Sequence, residues 1–382
     1  MKFPTVKHPG LWIAGTVVVL AAIALEFYGR ACGFLITPDS LQYLSAAKSF
    51  SESGRFLSPN GSYYSYWGPL FPIILSFFNE PQQALISINI VCKIILILAL
   101  LGLTRSFISD PILKIAFIVV SMTGVHLTLI SVFVWSELIF IVFILLNTHF
   151  ALTLKKYPSS YFWFLISGFL ACLQRDAGFF WVGGIGLWLL FDRSAILKGR
   201  IVQSVLCFFA CTSGLIGWRI YVTFVIQQNS NFYDYSFFFH AFENLPQVLL
   251  TFGKMLLPLN GIPGVTTGIL FFLLLFYRCL LLIKPSRNIQ LLGFIISVYS
   301  LGFIVLPWRL DINEMDRYFS VITPLVYLFV LSVIHEKVQF AKHGVRVLIY
   351  TALLTWLCYP VTRTLINVKA WHERSCSMAN TI

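Results

Sequence analysis

The stretch Leu11-Trp12-Ile13-Ala14-Gly15-Thr16-Val17-Val18-Val19-Leu20-Ala21-Ala22-Ile23-Ala24-Leu25-Glu26-Phe27-Tyr28 carries a single formal charge and is apolar almost throughout. A run of this length spans the hydrocarbon of a bilayer as a helix. It is too long for the apolar core of a secretory signal, and no small-residue cleavage site follows it, so it reads as a retained first span. Lys2 and Lys7 precede it, which places its start in the cytosol. Residues 29–82 include the least hydrophobic long segment of the chain and are expected to form the first outer loop.

Similar runs recur near residues 83–104, 112–131, 136–154, 161–173, 177–191, 201–224, 264–283, 289–307, 318–334 and 345–361. With the first, they predict an all-α polytopic membrane protein of about eleven transmembrane helices. Composition agrees: 58% of the 382 residues are hydrophobic and 11% are charged. A soluble chain carries about 45–50% and about 25%. These values exclude a water-soluble enzyme, a disordered regulator and a solvated nucleic-acid domain. The net charge of +12 is therefore assigned to basic residues kept on the cytosolic side, with no nucleic-acid partner. Eight cysteines form no CxxC pair, so neither a zinc site nor a disulfide framework is expected.

Lys2, Lys7, Arg105, Lys114, Lys155, Lys156, Arg193, Lys198, Arg200, Lys284, Arg287, Lys337, Lys342 and Arg346 crowd the short cytosolic loops of this topology. Most carboxylates, among them Asp39, Glu137, Asp176, Asp311, Glu314 and Asp316, fall on the outer side. Acids contribute little to orientation, so this bias points to chemistry on the outer face. Four clusters lie there. Thr37-Pro38-Asp39-Ser40 starts a helix, with Tyr43 one turn after Asp39 on the same face. Tyr63-Tyr64-Ser65-Tyr66-Trp67-Gly68-Pro69 precedes Leu70–Phe78, which is too short to span and reads as a surface helix. Trp135-Ser136-Glu137 and Gln174-Arg175-Asp176 place charges beside hydrocarbon, which is costly unless they pair or face a wet cavity. Trp308-Arg309-Leu310-Asp311-Ile312-Asn313-Glu314-Met315-Asp316-Arg317-Tyr318-Phe319 sets Arg317 at the outer start of a span. P-loop, GxSxG and HExxH motifs are absent, and the 7 histidines are scattered.

The order and shared sidedness of these landmarks resemble the GT-C superfamily of membrane glycosyltransferases, which includes protein O-mannosyltransferases and the lipid A aminoarabinose transferase. The matching residues are Pro38-Asp39-Ser40 with Tyr43, the Trp67-Gly68-Pro69-Leu70-Phe71-Pro72 run, Ser136-Glu137, the Arg175 turn, and Arg317-Tyr318-Phe319 leading into Pro324. The resemblance covers about residues 1–330. It implies one transmembrane glycosyltransferase domain: a catalytic half over 1–224, then an outer aromatic loop and C-terminal spans over 225–382, with no soluble domain.

The resemblance further implies an inverting transfer of a sugar from a polyprenyl-phosphate donor to an acceptor hydroxyl on the extracytoplasmic side. The expected partners are that donor, a lipid, glycan or protein acceptor, and membrane lipids. Asp39 is the expected base and Arg317, then Arg175, the groups for the departing phosphate. Glu137 orients Arg175 or a sugar hydroxyl, and Tyr43, Tyr66, Trp67, Asp176, Asp316 and Tyr318 complete the substrate site. Ser40 stands where many relatives carry a second acid, which puts a divalent-metal requirement in doubt, and no cofactor is otherwise called for. The aromatic stretch Asn231–His240 is expected either to hold an isoprenoid tail or to rest on the bilayer. A bacterial plasma membrane is the expected host ahead of the endoplasmic reticulum. The rival readings are a flippase or transporter of lipid-linked saccharide and a glycan polymerase or ligase. Lys93, Arg219 and Arg278 are the basic residues expected at the bilayer midplane.

Overall fold

A computed structural model of the chain describes residues 9–192, 196–226, 240–281, 286–306 and 310–379. Lys2, Lys7, Arg193, Lys284, most of the 231–240 aromatic stretch and Trp308-Arg309 lie outside them. The described residues are helical, with only two isolated β-bridges. Among the described residues, six helices are long and apolar enough to cross a membrane, and four shorter apolar helices accompany them. The protein is an integral, multi-pass membrane protein. The predicted tenth span does not begin at residue 318: a short helix ends at Phe319, and the next starts at Thr323 with Pro324 in its first turn, where a missing N–H costs nothing.

The helices form two compact units, neither continuous in sequence. The first comprises α1 (Pro9–Gly29), α5 (Pro111–Thr123), α6 (Val125–Val132), α15 (Thr323–Phe340) and α16 (His343–Ala379). The predicted span at 112–131 is two helices broken at Gly124. Asp110 starts α5 by accepting from the Leu113 N–H, with Pro111 at the first position. Helix α1 packs on α5, α6 and α16, and α15 packs on α5. A disulfide joins Cys32 to Cys376, contrary to the sequence expectation, and the Tyr28 and His372 rings stack beside it with centroids 4.2 Å apart. The remaining cysteines are free.

The second unit holds α2 (Pro38–Ser53), α3 (Leu70–Ser76), α7 (Glu137–Thr153), α8 (Ser159–Gln174), α9 (Ala177–Phe191), α10 (Leu197–Ile220), α11 (Ala241–Leu256), α12 (Gly261–Phe276), α13 (Arg287–Ile304) and α14 (Ile312–Phe319). Helix α4 (Pro81–Phe107) carries the chain from the second unit into the first. Within the second unit α8 packs on α7 and α10, α9 on α10 and α13, and α11 on α12. The expected surface helix after Pro69 is α3. The segment after the 201–224 run, expected as an outer aromatic loop, is instead helical from Ala241 to Leu256, because Asn244, Val248, Thr251, Phe252 and Met255 recur on one face and are buried. Asn244 is a tie point: its amide donates to the carbonyls of Phe303 and Ile304 and accepts from the Leu310 N–H, 3.1 Å away. It thereby holds both the end of α13 and the approach to α14.

Candidate active site

The site is built in the second unit from helix ends, where backbone geometry changes and charged side chains gather. Helix α2 opens with a reciprocal cap: the Thr37 hydroxyl accepts from the Ser40 N–H, and the Ser40 hydroxyl accepts from the Thr37 N–H. Pro38 fixes the first position, and Asp39 stands in the first turn, where the helix dipole favours a negative charge. Glu137 is the first residue of α7, Arg175 caps the C-terminus of α8, and Arg317 sits in the last turn of α14.

These side chains meet in one chain of ion pairs. Arg317 Nη1 lies 2.5 Å from Asp39 Oδ2, and its Nε lies 2.5 Å from Glu137 Oε1. The same Glu137 oxygen accepts from Arg175 Nη1 at 2.8 Å. Burial alone lowers an arginine's pKa. Here the carboxylates outweigh it, Glu137 most for both and Asp39 also for Arg317, and hold both guanidiniums above their ordinary value.

The tripeptide Trp135-Ser136-Glu137 organises this cluster. The Trp135 ring lies under the Arg317 guanidinium at 4.1 Å, and its Nε1 donates to the Thr37 hydroxyl, the cap of the helix that carries Asp39. The Ser136 hydroxyl accepts from Arg175 and hydrogen-bonds the Tyr43 hydroxyl at 3.2 Å, while its carbonyl accepts from the Gln174 amide. Tyr43 is fully buried and packs on Trp67 and Phe71, so it braces the site from behind.

A cavity of about 260 Å³ opens beside the arginines, lined by Tyr66, Trp67, Arg175, Asp176, Ala177, Phe180, Phe303, Leu306 and Tyr318. Gly68 makes this wall possible: a Cβ there would overlap the Leu173 carbonyl at the end of α8. Only glycine lets the aromatic segment lie directly on the turn that presents Arg175. A larger, almost wholly apolar cavity of about 570 Å³ lies among α9, α11, α12 and α13, and none of these charged groups lines it.

Of the residues singled out in the sequence, Asp39, Glu137, Arg175 and Arg317 come together, and Tyr66, Trp67, Asp176 and Tyr318 line the adjoining cavity. Asp316 precedes Arg317 on α14, its carbonyl accepting from the Ser320 hydroxyl, and is not part of the cavity wall. Arg219, expected at the membrane midplane, pairs instead with Asp176 and donates to the carbonyls of Ser65 and Tyr66 at 3.2 and 3.3 Å. It pins the aromatic loop to the start of α9. Its position in the last turn of α10 is a signal for such a role, but nothing local names its partners. Among the described residues no group of three or more His, Cys, Asp or Glu side chains is placed to hold a metal.

The fold is similar to that of GT-C membrane proteins of known structure. Over 98% of this chain and 74% of theirs, it is similar to ArnT from Cupriavidus metallidurans bound to undecaprenyl phosphate, with a TM-score of 0.60 and 13% identity. The apo state of the same enzyme matches at TM-score 0.57 and 16% identity, over 87% of this chain and 60% of that one. The oligosaccharyltransferase of Archaeoglobus fulgidus, tethered to an acceptor peptide, matches at TM-score 0.51 and 15% identity, over 96% of this chain and 55% of its own. No family model and no curated relative matches the sequence.

Proposed function

We propose that the chain is a membrane glycosyltransferase that moves a sugar from a polyprenyl-phosphate donor to an acceptor hydroxyl. The observation that carries this reading is Arg317, set between Asp39 and Glu137 with Arg175 on the same glutamate, beside an aromatic-walled cavity. The fold likeness to a protein bound to undecaprenyl phosphate supports the donor class. Two arginines that keep their charge suit a phosphate, and aromatic faces suit a sugar ring or prenyl chain.

In this reading Asp39 takes the acceptor hydroxyl's proton as the oxygen attacks the anomeric carbon. The bond from that carbon to the phosphate oxygen breaks, and a single displacement inverts the centre. The electron pair leaves on the lipid phosphate, where Arg317 and Arg175 stabilise it in a site largely shielded from water. Glu137 holds the two arginines side by side. The reading gives the charge stabilisation to these arginines and routes no step through a metal.

The extracytoplasmic side is supported by the disulfide. Cys32 precedes Asp39 by seven residues with no span between them, and disulfides persist in oxidising compartments. A bacterial plasma membrane is the host in this reading. The acceptor is a lipid, a glycan or a protein.

The test is release of polyprenyl phosphate from a panel of polyprenyl-phosphate sugars by the purified protein, with host membrane extract as acceptor. One donor should be consumed. Asp39→Asn should lose about 10²–10⁴-fold and Arg317→Ala about 10²–10³-fold. If every donor stays intact but crosses vesicle membranes, the protein is a transporter and the assignment fails.

A further inference from the structure

The two carboxylates on Arg317 are not equally fixed. Glu137 has a side chain only 1% exposed and is gripped by two guanidiniums through one oxygen. The Asp39 side chain is 20% exposed, and among the described residues its ion pair is with Arg317 alone. Arg317 Nη2 and Glu137 Oε2 are buried without a hydrogen-bond partner among the described residues. The guanidinium therefore has one unused nitrogen, next to the nitrogen that Asp39 occupies.

Charge balance adds a constraint. Asp39, Glu137, Arg175 and Arg317 sum to zero, so the donor's phosphodiester brings an uncompensated negative charge into a neutral cluster. Arginine binds phosphate best through two parallel N–H groups. Such a pair is complete on Arg317 once Asp39 leaves Nη1.

We infer that Arg317 is exchanged between Asp39 and the donor phosphate, so that the base is released only after the donor is seated. This rests on the roles given to the two residues under the proposed function. No covalent bond changes in the exchange: one ion pair replaces another. The freed carboxylate then accepts the proton given up by the acceptor hydroxyl. An empty site keeps its base paired with Arg317, and donor binding precedes activation of the acceptor. Glu137 stays in place throughout because leaving would strand two buried cations.

The experiment measures binding of undecaprenyl phosphate, and of undecaprenol as the uncharged control, to the full chain in detergent. If phosphate must displace Asp39, Asp39→Asn binds undecaprenyl phosphate about tenfold more tightly than wild type. The gain disappears in Asp39→Asn combined with Arg317→Ala, and undecaprenol affinity does not change. Asp39→Ala serves as a second variant. Neither substitution touches the Thr37–Ser40 cap that starts the helix. Equal or weaker phosphate binding by both variants, with wild type active on a donor, overturns the exchange and leaves the proposed function standing. Failure of every protein to bind undecaprenyl phosphate overturns both.

Discussion

Glu137 and Arg317, 180 positions apart in the chain, meet at 2.5 Å through Oε1 and Nε, and the same oxygen takes Arg175. One buried carboxylate thus sets the spacing of two cations. Removing it leaves both guanidiniums buried with less compensation, which costs about 3–5 kcal/mol for a pair of this kind. Glu137→Ala should therefore lower the melting temperature in detergent markedly, and Glu137→Gln less so, because the amide oxygen still accepts. In the transfer assay both should depress kcat more than they raise the donor KM.

Gly68→Ala tests the contact between the aromatic segment and α8. Its Cβ has nowhere to go against the Leu173 carbonyl and the Gln174 backbone, so the wall carrying Tyr66 and Trp67 must shift. A cost of about 1–3 kcal/mol is expected, with a raised donor KM. Gly217→Ala is the control: nothing lies within 4 Å of its added Cβ, and alanine favours a helix interior. Equal melting curves for the two variants would refute the packing argument.

Tyr43 gives a pH prediction. Burial pushes its hydroxyl above the ordinary 10.0, so folding favours the neutral form that bonds Ser136. Its contribution to stability is complete below pH 10.0 and is lost only as the pH rises toward the raised value. Melting curves of wild type and Tyr43→Phe should run parallel from about pH 7 to about pH 9.5, offset by about 1 kcal/mol for the lost hydrogen bond. Above that range the wild type should fall more steeply. An offset that narrows below pH 9 would contradict the assignment.

The Cys32–Cys376 bond closes a loop across a sequence separation of 344. Thiol labelling of denatured, unreduced protein should modify the six free cysteines, and all 8 after reduction. The double variant Cys32→Ser with Cys376→Ser should melt earlier, by an amount equivalent to about 2–4 kcal/mol. Eight reactive thiols before reduction would refute the bond.

Much of the fold was legible because a bilayer is a one-dimensional filter. Apolar runs of sufficient length must be helices, so the spans can be read from neighbouring residues alone. Local chemistry likewise announced the Thr37-Pro38-Asp39-Ser40 helix start and the α3 surface helix. Helix α11 was missed because the aromatic stretch Asn231–His240 read as an outer loop, although the spacing of Asn244, Val248, Thr251, Phe252 and Met255 already carried its period.

Which charge meets which was decided only in three dimensions. The sequence presented Asp39, Glu137, Arg175 and Arg317 as separate landmarks on one side of a membrane. Packing of helix ends made one glutamate oxygen serve two arginines and gave Arg317 to Asp39. The same holds for Arg219 finding Asp176, for Cys32 finding Cys376, and for Tyr43 finding Ser136. Spans and caps depend on residues a few positions apart. Ion pairs and bridges depend on contacts hundreds of positions apart, and only tertiary packing chooses among the partners that charge alone permits.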